Sequence, residues 1–251
     1  MAKLIILGSS NSIPTQQHDN THMVVVGEER VLLIDTATNP IVRLSQVGVE
    51  IKRLTDVILT HFHPDHVSGV PMLLLDSWLL GRKQPLAIYG LADIIDRTER
   101  MMDIFGWEEW PGFFPVNFTR VPAEEKAPVF QCPEFSVTAS PVQHMVPNMG
   151  LRIDFHGSGQ SLAYSSDTTP TPHMARLAQC ADVLIHEATG GEYGHSSAAQ
   201  AGEIASQGGV KKLVLIHYDP FEKDHQHLID EAKTTFAGPI ELAYDFMEFV
   251  F

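Results

Sequence analysis

This chain is short of three things. Among its 251 residues there are only two cysteines, Cys132 and Cys180, which share no metal-type spacing and define no disulfide framework. Basic residues are also few: 17 Lys and Arg stand against 31 Asp and Glu, a formal charge of −14. A surface that acidic repels polyanions at long range, so extended contact with nucleic acid is unexpected. No apolar run reaches the roughly 18 residues needed to cross a bilayer. The opening Met1–Gly8 has too short an apolar stretch for a signal peptide and reads as a first strand. A reduced, cytoplasmic protein with no membrane contact is the simplest expectation. Against these shortages stand 13 histidines, far more than a core or a surface ordinarily needs.

With no repeat, low-complexity segment or linker, residues 1–251 read as a single domain. Short β-branched runs predict strands at Lys3–Leu7, Thr21–Val26, Val31–Ile34, Asp56–Leu59, Leu86–Tyr89, Phe135–Ala139, Leu151–Phe155, Ser161–Tyr164, Val183–Ile185, Leu213–Ile216 and Phe246–Val250. Helical patterns fall at Val67–Leu80, Leu91–Phe105, Met174–Cys180, Ser196–Gln207 (opened by a serine cap) and His225–Phe236. The first third is strand-rich, and helices and strands then alternate. The expected class is α/β (α+β), two facing mixed sheets with helices outside. Residues Phe105–Pro115 form an aromatic loop, suited either to core burial or to a pocket wall or dimer contact.

The strongest signal is Thr60-His61-Phe62-His63-Pro64-Asp65-His66, directly after an apolar strand. In extended chain His61 and His63 point to one side, and a turn at Pro64 can carry Asp65 and His66 round to a second position. Three protonated histidines would repel one another on so tight a loop, so a cation is the natural occupant.

These residues match the HxHxDH signature at every position, and the chain resembles the metallo-β-lactamase superfamily. That resemblance implies an αββα sandwich. It also implies further ligands at His144, Asp167 and His217, each following an apolar strand, and a buried aspartate, Asp35, behind the ligand loop. On this pattern His61, His63 and His144 hold one metal, Asp65, His66 and His217 hold a second, and Asp167 bridges them. A donor set of nitrogen and oxygen without thiolate suits two zinc ions best, with manganese or iron as alternatives. Such a pair lowers the pKa of a shared water.

A second constellation, His186-Glu187-Ala188-Thr189 followed by His195-Ser196-Ser197, resembles paired motifs of the ribonuclease Z branch. Gly8–Pro14 and His144–Pro147 resemble it too. The resemblance implies that His195 protonates the leaving oxygen and that Glu187 orients His195; for phosphodiester cleavage Asp65 is the expected acceptor of the proton of the attacking hydroxide. A structural role is expected for His186. A helix opening at Ser196 would also offer its amides to a phosphate. Three departures argue against tRNA. Only 23 residues separate His144 from Asp167, too few for an RNA-clamping arm; His18-Asp19-Asn20 replaces the usual Arg-Asn; and Thr36–Asn39 lacks the glycine-rich continuation after Asp35. The leading expectation is therefore a dinuclear hydrolase of small phosphodiesters. The alternatives are a tRNA 3′-processing endoribonuclease, a lactone or ester hydrolase, and an iron-dependent persulfide dioxygenase. The apolar Val67–Leu80 helix adds the expectation of a homodimer.

Overall fold

The computed structural model describes residues 2–251. Strands β1 (Lys3–Gly8), β2 (His22–Val26) and β3 (Val31–Ile34) open the chain, followed by helix α1 (Pro40–Gln46) and strand β4 (Asp56–Ile58). Helices α2 (Pro64–Val67) and α3 (Val70–Leu79) lead to β5 (Leu86–Leu91), α4 (Ala92–Ile104) and β6 (Val116–Val121). Next come β7 (Ala127–Gln131), β8 (Phe135–Val142), β9 (Asn148–Phe155) and β10 (Ser161–Tyr164). The chain continues through α5 (Pro172–Leu177), β11 (Val183–Glu187), α6 (Ala198–Gly208) and β12 (Leu213–Ile216). It ends with α7 (Gln226–Lys233), β13 (Ile240–Leu242) and β14 (Glu248–Val250). Two mixed sheets result, ordered β14-β1-β2-β3-β4-β5-β6 and β13-β12-β11-β10-β9-β8-β7.

One apolar cluster joins the two sheets, and a second lies between the second sheet and α5–α7. Alternation within β11 and β12 serves both layers: Ile185, Val214 and Ile216 join the first cluster, and Leu184, Leu213 and Leu215 the second. Strands buried on both faces read as unbroken apolar runs. This is the two-sheet sandwich with helices outside that the order of elements predicts.

Strands β10, β11 and β12 run parallel, and β8 runs parallel to β10 because each pairs antiparallel with β9. Their C-terminal ends therefore share one edge, as do those of the parallel pair β3 and β4. The two edges are tied together by a bridge between His61 and Asn148. Apolar strands ending there deliver a polar residue each: Asp35 after β3, Thr60 and His61 after β4, His144 after β8, Asp167 after β10 and His217 after β12.

The helical stretch reaching the expected Val67–Leu80 region is two helices, α2 ending at Val67 and covering the Pro64 turn, and α3 opening at Val70. Its break falls at Ser68–Gly69, where Gly69 N–H donates to the Thr36 carbonyl at 2.7 Å. A Cβ on Gly69 would lie 2.6 Å from Thr36 O and 2.8 Å from Ala37 O, so nothing larger fits against that backbone. Gly69→Val should lower stability by about 1–3 kcal/mol through overpacking, read as a lower denaturant midpoint at unchanged slope; an unchanged midpoint would show that the approach is not constraining. Three strands, β6, β7 and β13, and helix α1 fall where no element is expected. β6 and β13 keep several side chains partly or fully exposed, which removes the strong apolar run by which a strand is recognised.

The aromatic loop divides between the two expectations for it. Phe114 is buried, Trp107, Trp110 and Phe113 are half-buried against the main cluster, and Phe105 is exposed. Trp110 stacks on Trp78 at 5.3 Å, at the far end of α3 from the histidine loop. Ten helical residues span about 15 Å, so this loop is no wall of the histidine site.

Candidate metal centre

His63 is extended (φ −99°, ψ 151°), and Pro64 opens α2. Proline's fixed φ favours the first helical position. The extended segment sends His61 and His63 to one side, and the helical turn carries Asp65 and His66 to another. Both halves of the motif thus reach different parts of one centre.

Three ring nitrogens converge. Nδ1 of His63 lies 3.1 Å from His61 Nε2 and 3.1 Å from His144 Nε2. The protons of the outer two rings are committed elsewhere. His144 Nδ1–H donates to the Gly194 carbonyl at 2.8 Å. Thr60 Oγ1 donates to Asp35 Oδ2 at 2.8 Å and so accepts from His61 Nδ1–H at 3.1 Å. The bare lone pairs of His61 Nε2 and His144 Nε2 therefore both face His63 Nδ1, which has at most one proton for the two of them.

On the other side His66 Nδ1–H donates to Asp35 Oδ2 at 2.8 Å, while the other oxygen, Oδ1, accepts from Thr60 N at 2.8 Å. His66 Nε2 lies 3.5 Å from Asp65 Oδ2, and His217 Nε2 lies 3.7 Å from that same oxygen. Between the two groups stands Asp167. Its Oδ2 is 3.7 Å from His61 Nε2, 3.6 Å from His66 Nε2, 4.0 Å from His144 Nε2 and 3.5 Å from His217 Nε2.

The residues fit metal. His66 Nε2, His217 Nε2 and Asp167 Oδ1 are buried with no hydrogen-bond partner. Candidate donor atoms fall into the sets His61, His63, His144, Asp167 and Asp65, His66, His217, with all atoms of a set within 4.8 Å of one another. Metal–ligand bonds of about 2 Å place neighbouring donors at such separations, and a cation accounts for lone pairs that otherwise repel.

Charge in this buried site is strongly redistributed. Burial, reinforced by the charge of His66, holds the His61 imidazole well below its ordinary pKa. Burial also disfavours charge on His66, but Asp167 and Asp35 more than reverse it and the ring is held well above. For Asp167, burial is outweighed by the charges of His217, His66 and His61, and the carboxyl is held well below.

Beside these rings sits His195, its centroid 4.9 Å from His144 and 5.6 Å from His217. Its Nδ1–H donates to Glu187 Oε1 at 3.0 Å. Glu187 is fully buried and also accepts from the amides of Thr168, Ser196 and Thr189, each at 3.0 Å. A carboxylate so anchored cannot swing away from the imidazole. Burial pushes His195 down, but the bond and charge of Glu187 more than offset it, so its pKa is raised.

All seven expected ligands, with Glu187 and His195, meet at this one place. The helix beyond His195 differs from its sequence reading. α6 begins at Ala198, and its cap is Ser197, which shares a capping box with Gln200. Ser196 lies outside the helix and donates its hydroxyl to the Thr168 carbonyl at 2.6 Å. The amides of Ser197, Ala199 and Gln200 are already bonded, to Gln200 Oε1, Glu231 Oε1 and Ser197 Oγ. Three of the amides that a phosphate would use at this helix terminus are therefore already taken. Adjacent Ser-Ser allows either residue to cap, and the capping glutamine three residues after Ser197 is the signal that separates them. His186 points away from Glu187, as alternation in a strand requires, and donates Nδ1–H to the Glu187 carbonyl at 2.8 Å.

Sequence reasoning missed several supports. Asn148 donates to the Asp167 carbonyl at 2.6 Å and accepts from Ser166 Oγ at 3.0 Å. Thr189 holds His217. Asp35, Ser166 and His217 have positive φ (62°, 52° and 57°). Non-glycine residues of that conformation cluster at functional sites, where surrounding bonds hold them.

Fold and centre together define a class. Residues 30–218 match the family model of the beta-lactamase superfamily domain, and the chain belongs to that superfamily. It is a metal-dependent hydrolase. A ribonuclease Z from Bacillus licheniformis is 28% identical, with 98% of each chain covered. That alignment runs over 307 positions, so the relative carries segments with no counterpart here. Among solved structures, the metallo-beta-lactamase fold protein YhfI from Bacillus subtilis superposes with a TM-score of 0.82 at 24% identity, covering 99% of this chain and 98% of that one. A diphosphatase from the PhnP family gives 0.75 at 21% identity, covering 100% and 98%. The hydrolase belongs with the ribonuclease Z-like members and their phosphodiesterase neighbours. Among the described residues no helix is long and apolar enough to cross a membrane.

Proposed function

We propose that this enzyme hydrolyses small phosphodiesters, using two divalent cations held by His61, His63, His144, Asp65, His66 and His217 with Asp167 shared. The observation that carries the proposal is a carboxylate-anchored histidine, His195 on Glu187 at 3.0 Å, standing beside a donor set large enough for two ions. Zinc suits the nitrogen and oxygen donors best. When bound, the pair would supply Lewis acidity to a phosphoryl oxygen and acidify a water.

The chain's own residues do the rest. Asp65 accepts the proton of the attacking water. Nε2 of His195 delivers a proton to the departing oxygen as the phosphorus–oxygen bond breaks, while Glu187 holds Nδ1–H and keeps the ring aimed. Both donor sets draw on both sheets, which supports residues 1–251 acting as one domain. Cys132 and Cys180 are unpaired, which supports a reducing, cytoplasmic setting.

The small substrate rests on what occupies the interval between His144 and Asp167. There β9 and β10 pair as a hairpin through residues 156–160, leaving no chain for a protruding RNA grip. A screen of bis(p-nitrophenyl) phosphate, 2′,3′-cyclic nucleotides, lactones, a glutathione persulfide and a pre-tRNA tests the assignment. Turnover should be greatest on the small diesters; preferential cleavage of pre-tRNA, or activity confined to lactones or the persulfide, would replace the reading.

We further propose that the enzyme works as a homodimer joined through the α3–α4 end. Leu79 (66% exposed), Leu80, Ile104 (84%) and Phe105 leave more apolar surface there than a monomer's scattered residues explain. Sedimentation at micromolar concentration should give a dimer, and Leu79→Glu combined with Ile104→Glu a monomer. A monomeric wild-type chain would refute the pairing.

A further inference from the structure

We propose that Thr189 is a positioning residue that fixes the tautomer and orientation of His217, tying that ring to the same carboxylate that anchors His195. The proposal rests on the reading of His217 as a metal ligand. Thr189 follows β11 by two residues, and its amide donates to Glu187 Oε2 at 3.0 Å. Its hydroxyl sits between two groups of one residue: the His217 carbonyl at 2.6 Å and His217 Nδ1 at 2.7 Å.

A hydroxyl has one proton, and a carbonyl oxygen cannot donate. The Thr189 proton therefore goes to the carbonyl, and the hydroxyl oxygen must accept from Nδ1–H. This places the proton of His217 on Nδ1 and leaves Nε2 as the bare atom, which lies 3.5 Å from Asp167 Oδ2 with no hydrogen-bond partner. The same two bonds bear on backbone as well as ring. His217 sits at φ 57°, a left-handed conformation that non-glycine residues adopt uncommonly and that clusters at functional sites. Its amide is held from the other side by the Ser9 carbonyl at 2.9 Å. Asp35 performs the corresponding task for His66, so each ring of this donor set has its own acceptor behind Nδ1.

Glu187 thus binds two arms of the site: Oε1 takes His195 Nδ1–H, and Oε2 takes the Thr189 amide. The acid and the ligand are placed by one buried carboxylate. A partner behind a ligand of this kind contributes about 10–100-fold to metal affinity.

Zinc affinity measured by chelator competition, on full-length protein with circular dichroism as a check of fold, tests the inference. Thr189→Val removes the hydroxyl at constant shape and should weaken the more labile zinc by about 10–100-fold. Thr189→Ser keeps the hydroxyl and should restore affinity to within about threefold of wild type. Should the valine variant fail to fold, Thr189→Ala takes its place with the same expected loss. Wild-type affinity in the variant without the hydroxyl, or equal losses in the serine and hydroxyl-free variants, would overturn the proposal. His217→Ala separates it from its premise: two tightly bound zinc ions in that variant would remove His217 from the ligand set and leave the tautomer argument without a purpose.

Discussion

Asp167→Ala is expected to cost the enzyme its metal and its turnover together. Asp167 Oδ2 lies within 4.0 Å of ring nitrogens belonging to both donor sets, and Oδ1 is buried without a partner. No other side chain is so placed among the described residues. The neighbouring imidazoles of His217, His66 and His61 outweigh burial and hold its carboxyl well below the ordinary range. Removing it leaves imidazoles crowded without the negative charge that makes two cations tolerable at short separation. Groups that merely support a ligand are worth about 10–100-fold in affinity or activity, and a carboxylate within 4.0 Å of nitrogens from both sets should exceed that. Metal analysis of the purified variant should give fewer than two ions per chain, and turnover should fall by well over about 100-fold. Full activity with one tightly bound ion would sink the two-ion reading.

His195→Ala should behave in the opposite way, with metal retained and catalysis lost. A positioned general acid contributes about 10²–10⁴-fold, and the anchoring of His195 on a fully buried Glu187 is the arrangement such an acid requires. The size of the loss should follow the leaving group. A p-nitrophenolate departs without help, so its ester should lose least, whereas a diester releasing an alkoxide should lose most. Equal losses on both would assign His195 to binding the phosphoryl group. Candidate donor atoms of His195, Asp167 and His217 also lie within 4.8 Å of one another, so ligation is a geometric possibility. Loss of metal from the variant would establish it and withdraw the acid role.

The elements legible in the sequence were those with an uninterrupted apolar run or a punctuating residue. β4 and β12 declared themselves through Val57–Leu59 and Leu213–Ile216 and placed the histidines that follow them. β6 and β13 did not, because exposed polar residues (Asn117, Thr119 and Arg120 in β6, Glu241 in the three-residue β13) interrupt the apolar run. The Val67–Leu80 pattern is continuous in sequence, yet the helix is interrupted at Ser68–Gly69, where the Gly69 amide donates to the Thr36 carbonyl instead of to a carbonyl of its own helix. The amides expected to receive a phosphate at the start of α6 are taken up in part by a tertiary contact of the same kind. Glu231 comes from α7 to take the Ala199 amide, a contact that no local pattern at residues 195–200 announces.

What the sequence determined by itself was the set of candidate donor side chains and their order along the chain. Each donor belongs to a short motif at the end of an apolar strand, and such motifs depend on residues a few positions apart. The tertiary structure decided which nitrogen of each ring faces the centre and what holds it there. His66 is oriented by Asp35, His144 by the Gly194 carbonyl and His217 by Thr189. These partners lie 31, 50 and 28 residues away in the chain. An imidazole offers either nitrogen until a hydrogen bond claims one, and those hydrogen bonds exist only once the two sheets have brought distant strand ends to a common edge.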